Sequence, residues 1–290
     1  MKFSNAGVPP VAFVQMLESQ ALDPDAVARL RTIMAREGTD EATLMQHDVQ
    51  APLRWFRDLY PDLDVDRATL LGFSFAGQAQ LTSFGPLSVP LVSAGSVAEI
   101  VELLTYLPLI TTAINAQFRP NDQGLTVGLW GHTGDRALDC LAVTYPGSAL
   151  LRLLDMLVSD ALTVTLHLSW SAPVSLNKLA AEMVLAGRLF FDAPMSYLHV
   201  PVNALNEVCR FSDPLAYRLA VAELRRTLDE QSGATSFSKK VRRLLDEDPG
   251  QRSCQRVADE LSVSTSTLKR RLAEEGTTFR ELRQSCLRES

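Results

Sequence analysis

The chain has 290 residues, 46% hydrophobic and 21% charged, the balance of a soluble globular protein with room for two domains. No run approaches the roughly 20 apolar residues of a membrane span, and no basic stretch followed by an apolar core opens the chain. Cys140, Cys209, Cys254 and Cys286 lie far apart with no CxxC pair, which argues against a disulfide frame or a zinc site. The net charge of −6 hides an asymmetry: residues 237–290 hold 12 Lys+Arg against 9 Asp+Glu, and the remaining 236 hold 16 against 25. An acidic body with a modestly basic end points to nucleic acid at that end alone, with the cytoplasm as the expected location.

Residues 9–21 predict a first helix, with Pro10 near its start and Val11, Val14 and Leu17 on one face. A second follows, capped by Asp23, with Pro24 at its first position and Gly38 ending it. Asp40 to about His47 and Pro52 to Tyr60 read as two more. From about Arg67 the texture turns small and apolar, and Ser96 caps a helix whose Val97, Ile100, Val101 and Leu104 form a stripe ended by Pro108. Residues 113–145 alternate as three strands, AINAQFRP, LTVGLW and RALDCLAVTY, with a hairpin signal from Asn121 to Gly124. A long apolar helix is expected from Gly147 to about Ser159, then a strand over 163–170 and a short helix in NKLAAEMVLAG. Two strands, RLFFDAP and SYLHVP, follow around Pro194.

Residues 212–230 predict an amphipathic helix capped by Ser212. Tyr217, Val221, Leu224 and Leu228 make one stripe, widened by Leu215, Leu219 and Ala222. QSGATS, residues 231–236, reads as a linker by composition.

The most informative stretch is SCQRVADELSVSTSTLKRRLAEEG, residues 253–276. Val257, Ala258 and Leu261 recur at helical spacing, Ser262-Val263-Ser264 breaks the pattern, and Ser264 suits the cap of a second helix ended by Gly276. Leu268 and Leu272 share one face of that helix. Two helices around a short turn, the second basic on its outer face, make the helix-turn-helix pattern. Ala258 permits close helix approach, and Val263 can plug the turn. Facing away from Leu268 and Leu272 near the helix start are Thr265, Ser266, Lys269 and Arg270, the positions that reach into a groove. Arg271 would instead pair with Glu274 or Glu275. Taken without its surroundings, the stretch reads equally well as a helical hairpin with a solvated charged face.

Residues 241–290 closely resemble the start of the DNA-binding domain of AraC/XylS-type transcription regulators, most specifically in STLKRRLAEEGTTFRELR. The resemblance carries base-reading roles onto Ser266 and Arg270, with Lys269 beside them. Ser266 is smaller than the residue often found there, so its contact would be weaker or water-mediated. Arg270 is the candidate for a bidentate guanine contact, worth about 1–3 kcal/mol of discrimination. Ser264, Thr265 and Thr278 are candidates for phosphate contacts. Domains of this type carry two helix-turn-helix units joined by a long helix. The sequence ends at ELRQSCLRES, in what would be that helix, so the expectation is a module truncated after its first unit.

Upstream, Phe84-Gly85-Pro86-Leu87 and Tyr106-Leu107-Pro108-Leu109 resemble, more loosely, the arabinose-binding-like N-terminal effector domain of one branch of that family. So do Phe191, Ala193, Leu198, Val200-Pro201 and Leu205, and the resemblance covers most of residues 15–210. It implies control by a small-molecule effector, of unknown identity. It also implies pairing of protomers through the helix before the linker, which makes Tyr217, Val221, Leu224 and Leu228 candidate dimerisation residues beside their reading as intramolecular core.

Other patterns fall short. Gly72-Phe73-Ser74-Phe75-Ala76-Gly77 nearly spells the GxSxG nucleophile elbow, but Ala76 replaces the second Gly and no doubly wound series surrounds it. Asp62, Asp64 and Asp66 alternate like the start of an EF-hand loop, yet Arg67 and Phe73 stand where its Gly and Glu belong. His47, His132, His167 and His199 are scattered, and such single histidines are mostly hydrogen-bonded structural residues.

The expected chain is α+β: a mixed helix and antiparallel-sheet effector domain over 1–211, an amphipathic helix and linker over 212–236, and a partial all-α DNA-binding domain over 237–290. The expected function is sequence-specific, effector-controlled transcription regulation on double-stranded DNA, as a homodimer, with RNA polymerase as a further partner if the protein activates. The alternative is an effector-binding and dimerisation fragment with little DNA binding of its own. No catalytic residue, metal ligand, cofactor or membrane partner is expected, and no effector-binding residue is assigned.

Overall fold

The computed structural model describes residues 6–19, 21–47, 49–158, 163–176, 187–235, 237–247, 252–261 and 263–289. The chain is α+β and divides into two compact units, residues 1–224 and 225–290.

The first unit opens with β1 (Gly7–Val8), which pairs antiparallel with β2 (Ala51–Pro52). Between them run α1 (Pro10–Glu18), α2 (Pro24–Arg36) and α3 (Glu41–His47). Asp23 caps α2 by accepting from the Ala26 amide at 2.7 Å, and Gly38 takes the positive φ of 75° that ends it. The helix expected from Pro52 is α4 (Arg54–Leu59), shortened because Ala51 and Pro52 are held by β1. Phe13, Trp55, Phe56 and Phe75 form an aromatic core with ring centroids 5.4–6.2 Å apart.

The elbow-like GFSFAG lies inside α5 (Val65–Gln78), a regular helix, and not on a strand-to-helix turn. Its Gly72 lets α5 press against α8 (Arg136–Leu157): a Cβ there would stand 2.7 Å from the Cβ of Thr144. Of the three alternating aspartates, Asp64 caps α5, and Asp62 lies 3.7 Å from Arg67, whose guanidinium stacks on Tyr60.

After a 3-10 segment over Leu81–Leu87 come α6 (Ser88–Ser93) and α7 (Val97–Glu102), the latter capped by Ser96. The helix expected to reach Pro108 changes to 3-10 geometry over Leu103–Leu109. Pro108 has no N–H to give to an i−4 carbonyl, so the tighter turn accommodates it inside the segment.

A five-stranded sheet follows in the order β3-β4-β7-β5-β6. β3 (Ile114–Asn121) and β4 (Gly124–Gly131) form the expected hairpin, β5 (Thr165–His167) pairs parallel with β6 (Leu189–Phe190), and β7 (Tyr197–Pro201) joins the two halves antiparallel. Gly124 is required where it stands: at φ 144°, a Cβ would come within 2.1 Å of the Val200 carbonyl oxygen. His167 stacks between Tyr197 and Phe190 at 4.3 and 4.8 Å, and burial together with His199 holds its pKa below the usual histidine value.

RALDCLAVTY is not a third strand. It is the first half of α8, whose start is capped by Asp135 through the amides of Ala137 and Leu138. Burial on every side would defeat any helical stripe, and Ala137, Leu138, Cys140, Leu141, Ala142, Val143 and Thr144 are all buried. α8 is long and apolar enough to cross a membrane by length and composition alone, contrary to the reading of the sequence. Most of it is buried inside the unit, as the core helix between α5 and the sheet. The short helix expected in NKLAAEMVLAG falls, except for Gly187, on residues outside the described ones.

α9 (Val202–Leu205) leads to α10 (Pro214–Thr235). Its cap is Asp213, which accepts from the amides of Leu215 and Ala216, and not Ser212. Proline at the first helical position makes the residue before it the cap. Residues 231–235, expected as linker, continue this helix, and the boundary between the units falls within it. Leu224 is buried, Tyr217, Val221 and Leu228 are half-buried, and Leu215 and Leu219 are exposed, as are Val208 and Phe211 before them.

The regular elements among the described residues of the second unit are helices: the end of α10, then α11 (Phe237–Glu247), α12 (Cys254–Glu260), α13 (Thr265–Glu274) and α14 (Phe279–Glu289). Val241, Leu245, Val257, Ala258, Leu268 and Leu272 make its core, with Leu244, Val263, Phe279 and Leu282 packed against it.

Candidate nucleic-acid interface

Local chemistry sets the geometry of α12 and α13. Ser253 caps α12 through the Arg256 amide at 3.2 Å, and the Val263 amide closes the turn on the Ala258 carbonyl at 2.9 Å. Val263 is half-buried against the core and fills the turn, while Ala258, fully buried, lets the helices meet. Ser262 is outside the described residues. Ser264 caps α13 through the Thr267 amide at 3.1 Å, and Gly276 ends it with a φ of 73°.

Leu268 and Leu272 anchor α13 inward, with no exposed surface. The opposite strip is therefore turned to solvent, and Ser266, Lys269 and Arg270 are exposed. Thr265 lies at the first helical position. The Ser264 hydroxyl lies 2.9 Å from that of Ser266 and 2.8 Å from that of Thr267. Three hydroxyls thus cluster where the first-turn amides of α13 lack intrahelical partners, an arrangement chemically able to receive a phosphate oxygen. The sequence reading does not single out Thr267; its place at the third helical position after a serine cap is the available signal.

Thr278 caps α14 in a reciprocal box: the Glu281 amide donates to Thr278 Oγ1 at 3.2 Å, and the Thr278 amide donates to Glu281 Oε2 at 2.8 Å. Its hydroxyl still has a proton to offer an acceptor.

The arginines are arranged otherwise than expected. Arg270, not Arg271, pairs with Glu274, at 2.9 Å, one turn along the exposed face. Glu275 accepts instead from the backbone amides of Phe237 and Ser238 at the start of α11, and the Arg271 guanidinium lies 5.3 Å from the centre of the Phe237 ring. Arg271 and Glu275 thereby tie α13 to α11, while Lys269 and Arg270 remain on the outer strip. Among the described residues, no three His, Cys, Asp or Glu side chains gather as a metal site.

No family model matches the chain, and no curated protein matches it. The crystal structure of the transcriptional regulator CdpR from Pseudomonas aeruginosa is similar at 19% identity, over 90% of this chain and 82% of that one, with a TM-score of 0.46. At that identity and score, the likeness adds nothing to what the side chains of α13 say.

Proposed function

We propose that the chain is a sequence-specific DNA-binding transcription regulator of the AraC/XylS type, with α13 in a major groove and a small-molecule effector controlling it through the first unit. The observation that supports this most is the division of labour on α13. Two leucines hold the helix, and Ser266, Lys269 and Arg270 share its free face beside a hydroxyl-rich N-terminus. Arg270 takes the role of reading guanine, Lys269 and Ser266 flank it, and Ser264, Thr265 and Thr278 hold phosphates. No catalytic step is assigned to the chain, and its proposed setting is the cytoplasm.

The protein acts in this reading as a homodimer, and through RNA polymerase where it activates. The exposed apolar side chains of Phe211, Leu215 and Leu219 serve pairing better than the inward Leu224.

Fluorescence anisotropy with DNA from upstream of the protein's own and neighbouring genes tests the reading. It is run across a salt series beside shuffled DNA and a Lys269→Ala/Arg270→Ala variant. Site-selective binding lost in the variant is expected. Equal weak binding to every duplex, or none, refutes it and leaves ligand binding by the first unit as the function.

A further inference from the structure

A cavity runs through the middle of the first unit, enclosed by α1, α8, both 3-10 segments and the sheet residues Leu129 and Leu198. About 70 Å3 of it admits the centre of a water-sized sphere, within about 980 Å3 of unfilled space that includes its opening. Well-packed interiors keep few voids larger than a water, and every wall atom facing a void forfeits its dispersion partners. Among the described residues, the walls are mostly leucine, isoleucine, phenylalanine and alanine; only Ser83, Thr111 and Tyr145 bring polar side chains, and none is charged.

Those three are not equivalent. The Thr111 hydroxyl donates to the Gly7 carbonyl at 2.7 Å and accepts from the Ala113 amide at 3.1 Å, so it is committed to the fold. Ser83 donates to Gln15 Oε1 and accepts from the Gln80 amide at 2.9 Å. Among the described residues the Tyr145 hydroxyl bonds to Ser83; since the Ser83 proton goes to Gln15, Tyr145 donates to Ser83 and keeps its oxygen lone pairs for a ligand, and burial pushes its pKa up to about 12, which keeps it neutral. Tyr145, Pro9, Phe84 and Pro146 are the lining residues that keep partial exposure, whereas the others are buried.

We propose that this cavity binds an uncharged, largely apolar small molecule of narrow cross-section, with its hydroxyl donating to Tyr145 and its hydrocarbon body among Leu87, Leu104, Leu107 and Leu150. A carboxylate is disfavoured in the interior, because no lysine or arginine lines it among the described residues and an unpaired buried charge is far too costly. That the ligand is the effector rests on the regulator reading above; that it binds does not.

The cavity wall is also tied to α10. Leu91, Leu103, Leu104 and Leu107 flank the stretch whose backbone carries the approach to that helix. The Ser93 carbonyl accepts from the Asp213 amide at 2.9 Å, the Gly95 carbonyl from the Cys209 amide at 3.1 Å, and the Glu99 carbonyl from the Tyr217 hydroxyl at 3.3 Å.

The test uses the full chain without DNA and the neutral dye N-phenyl-1-naphthylamine, displaced by 1-dodecanol or by dodecanoate. Dye fluorescence is expected to rise on binding, 1-dodecanol to displace it, and dodecanoate to do so about tenfold less well or worse. Ala142→Phe and Ala149→Leu, which fill the cavity, are expected to abolish binding, and Tyr145→Phe to weaken 1-dodecanol about fivefold while sparing the dye. Hydrogen exchange on the unaltered chain reads the site independently of whether the filled variants fold: 1-dodecanol should slow exchange across 81–91 and 103–114. Undiminished dye binding in folded filled variants, equal displacement by dodecanoate, or protection confined to other segments overturns the proposal. Binding that passes these tests but leaves DNA affinity unchanged removes the effector role only.

Discussion

Glu274→Gln is expected to strengthen DNA binding, because Glu274 competes for Arg270, the arginine proposed to read the base. The pair is 2.9 Å long, its side chains are 67% and 58% exposed, and its partners are one helical turn apart. Exposed pairs at that spacing contribute about 0.3–0.5 kcal/mol, so freeing Arg270 returns roughly twofold in affinity. Removing one anionic group from a face proposed to meet phosphate adds a further gain that salt screens. Arg270→Ala should cost about 1–3 kcal/mol and relax preference at a single base pair. Lys269→Ala should weaken all sites alike and flatten the salt dependence by about one unit. Anisotropy titrations on matched and single-base-changed duplexes, at several salt concentrations, separate these effects. In a chain already carrying Arg270→Ala, the gain from Glu274→Gln should shrink to its salt-sensitive part. A weakening by Glu274→Gln, or an Arg270→Ala variant with unchanged base preference, would refute the assignment of Arg270.

Four further outcomes follow from the packing. Leu268→Ala empties a fully buried site in the small second unit; a cost of about 2.7–5 kcal/mol should abolish DNA binding while calorimetry still shows the transition of the first unit, and a folded second unit would contradict this. Asp135 is held below the usual carboxylate range: burial opposes this, but the Arg57 guanidinium and the amides of Leu138 and Ala137 outweigh it. The group therefore stabilises the fold above its unfolded pKa of about 3.9 and loses that contribution as pH falls through the lower folded value, so Asp135→Asn should cost roughly 1.5–3 kcal/mol near neutrality and progressively less in acid; a pH-independent difference in urea melts would exclude the account. Leu215→Asp with Leu219→Asp should lower the self-association of the chain in sedimentation without shifting its melting temperature, and unchanged association would remove that face from dimerisation. Tyr217→Phe should leave dye binding intact and reduce the ligand's effect on DNA affinity, whereas an undiminished effect would rule out coupling through Glu99.

What the sequence revealed best is what local chemistry decides. Asp23, Ser96, Ser264 and Gly276 act within a turn of themselves, and each sits where helix capping places it. The inward pair Leu268 and Leu272 is legible for the same reason, since one face of one helix needs no knowledge of its partners. Residues 136–145 mislead because burial on all sides erases periodicity, leaving apolar runs that suit strand and helix equally. The partner of Arg271 is hidden because Glu275 is claimed from 38 residues away by the Phe237 amide, a competition that spacing cannot reveal. The cavity leaves no trace at all. Its walls run from Val8 to Leu198, and each residue in them looks like any other core residue until the fold leaves a space between them.

Tyr217 joins these threads. Its apolar spacing marks it equally for a dimer stripe and for core, but its hydroxyl is bonded to the main chain of α7, four residues before the cavity wall resumes at Leu103. Cys209, Asp213 and Tyr217 are spaced by four, and each meets a carbonyl of the 93–99 stretch. The start of α10 is thus fastened to backbone whose neighbouring leucines line the cavity. α10 then continues unbroken into the second unit, through the Gly and Ser residues that composition alone would make a loose linker. In the proposed reading, a ligand in the cavity acts first on this anchor, at the start of the helix. A ligand shifts that anchor only by the difference in its affinity for two arrangements of the wall. A coupling of about 1–3 kcal/mol, typical of such linkage, is within reach of repacking a few leucines around a hydrocarbon body.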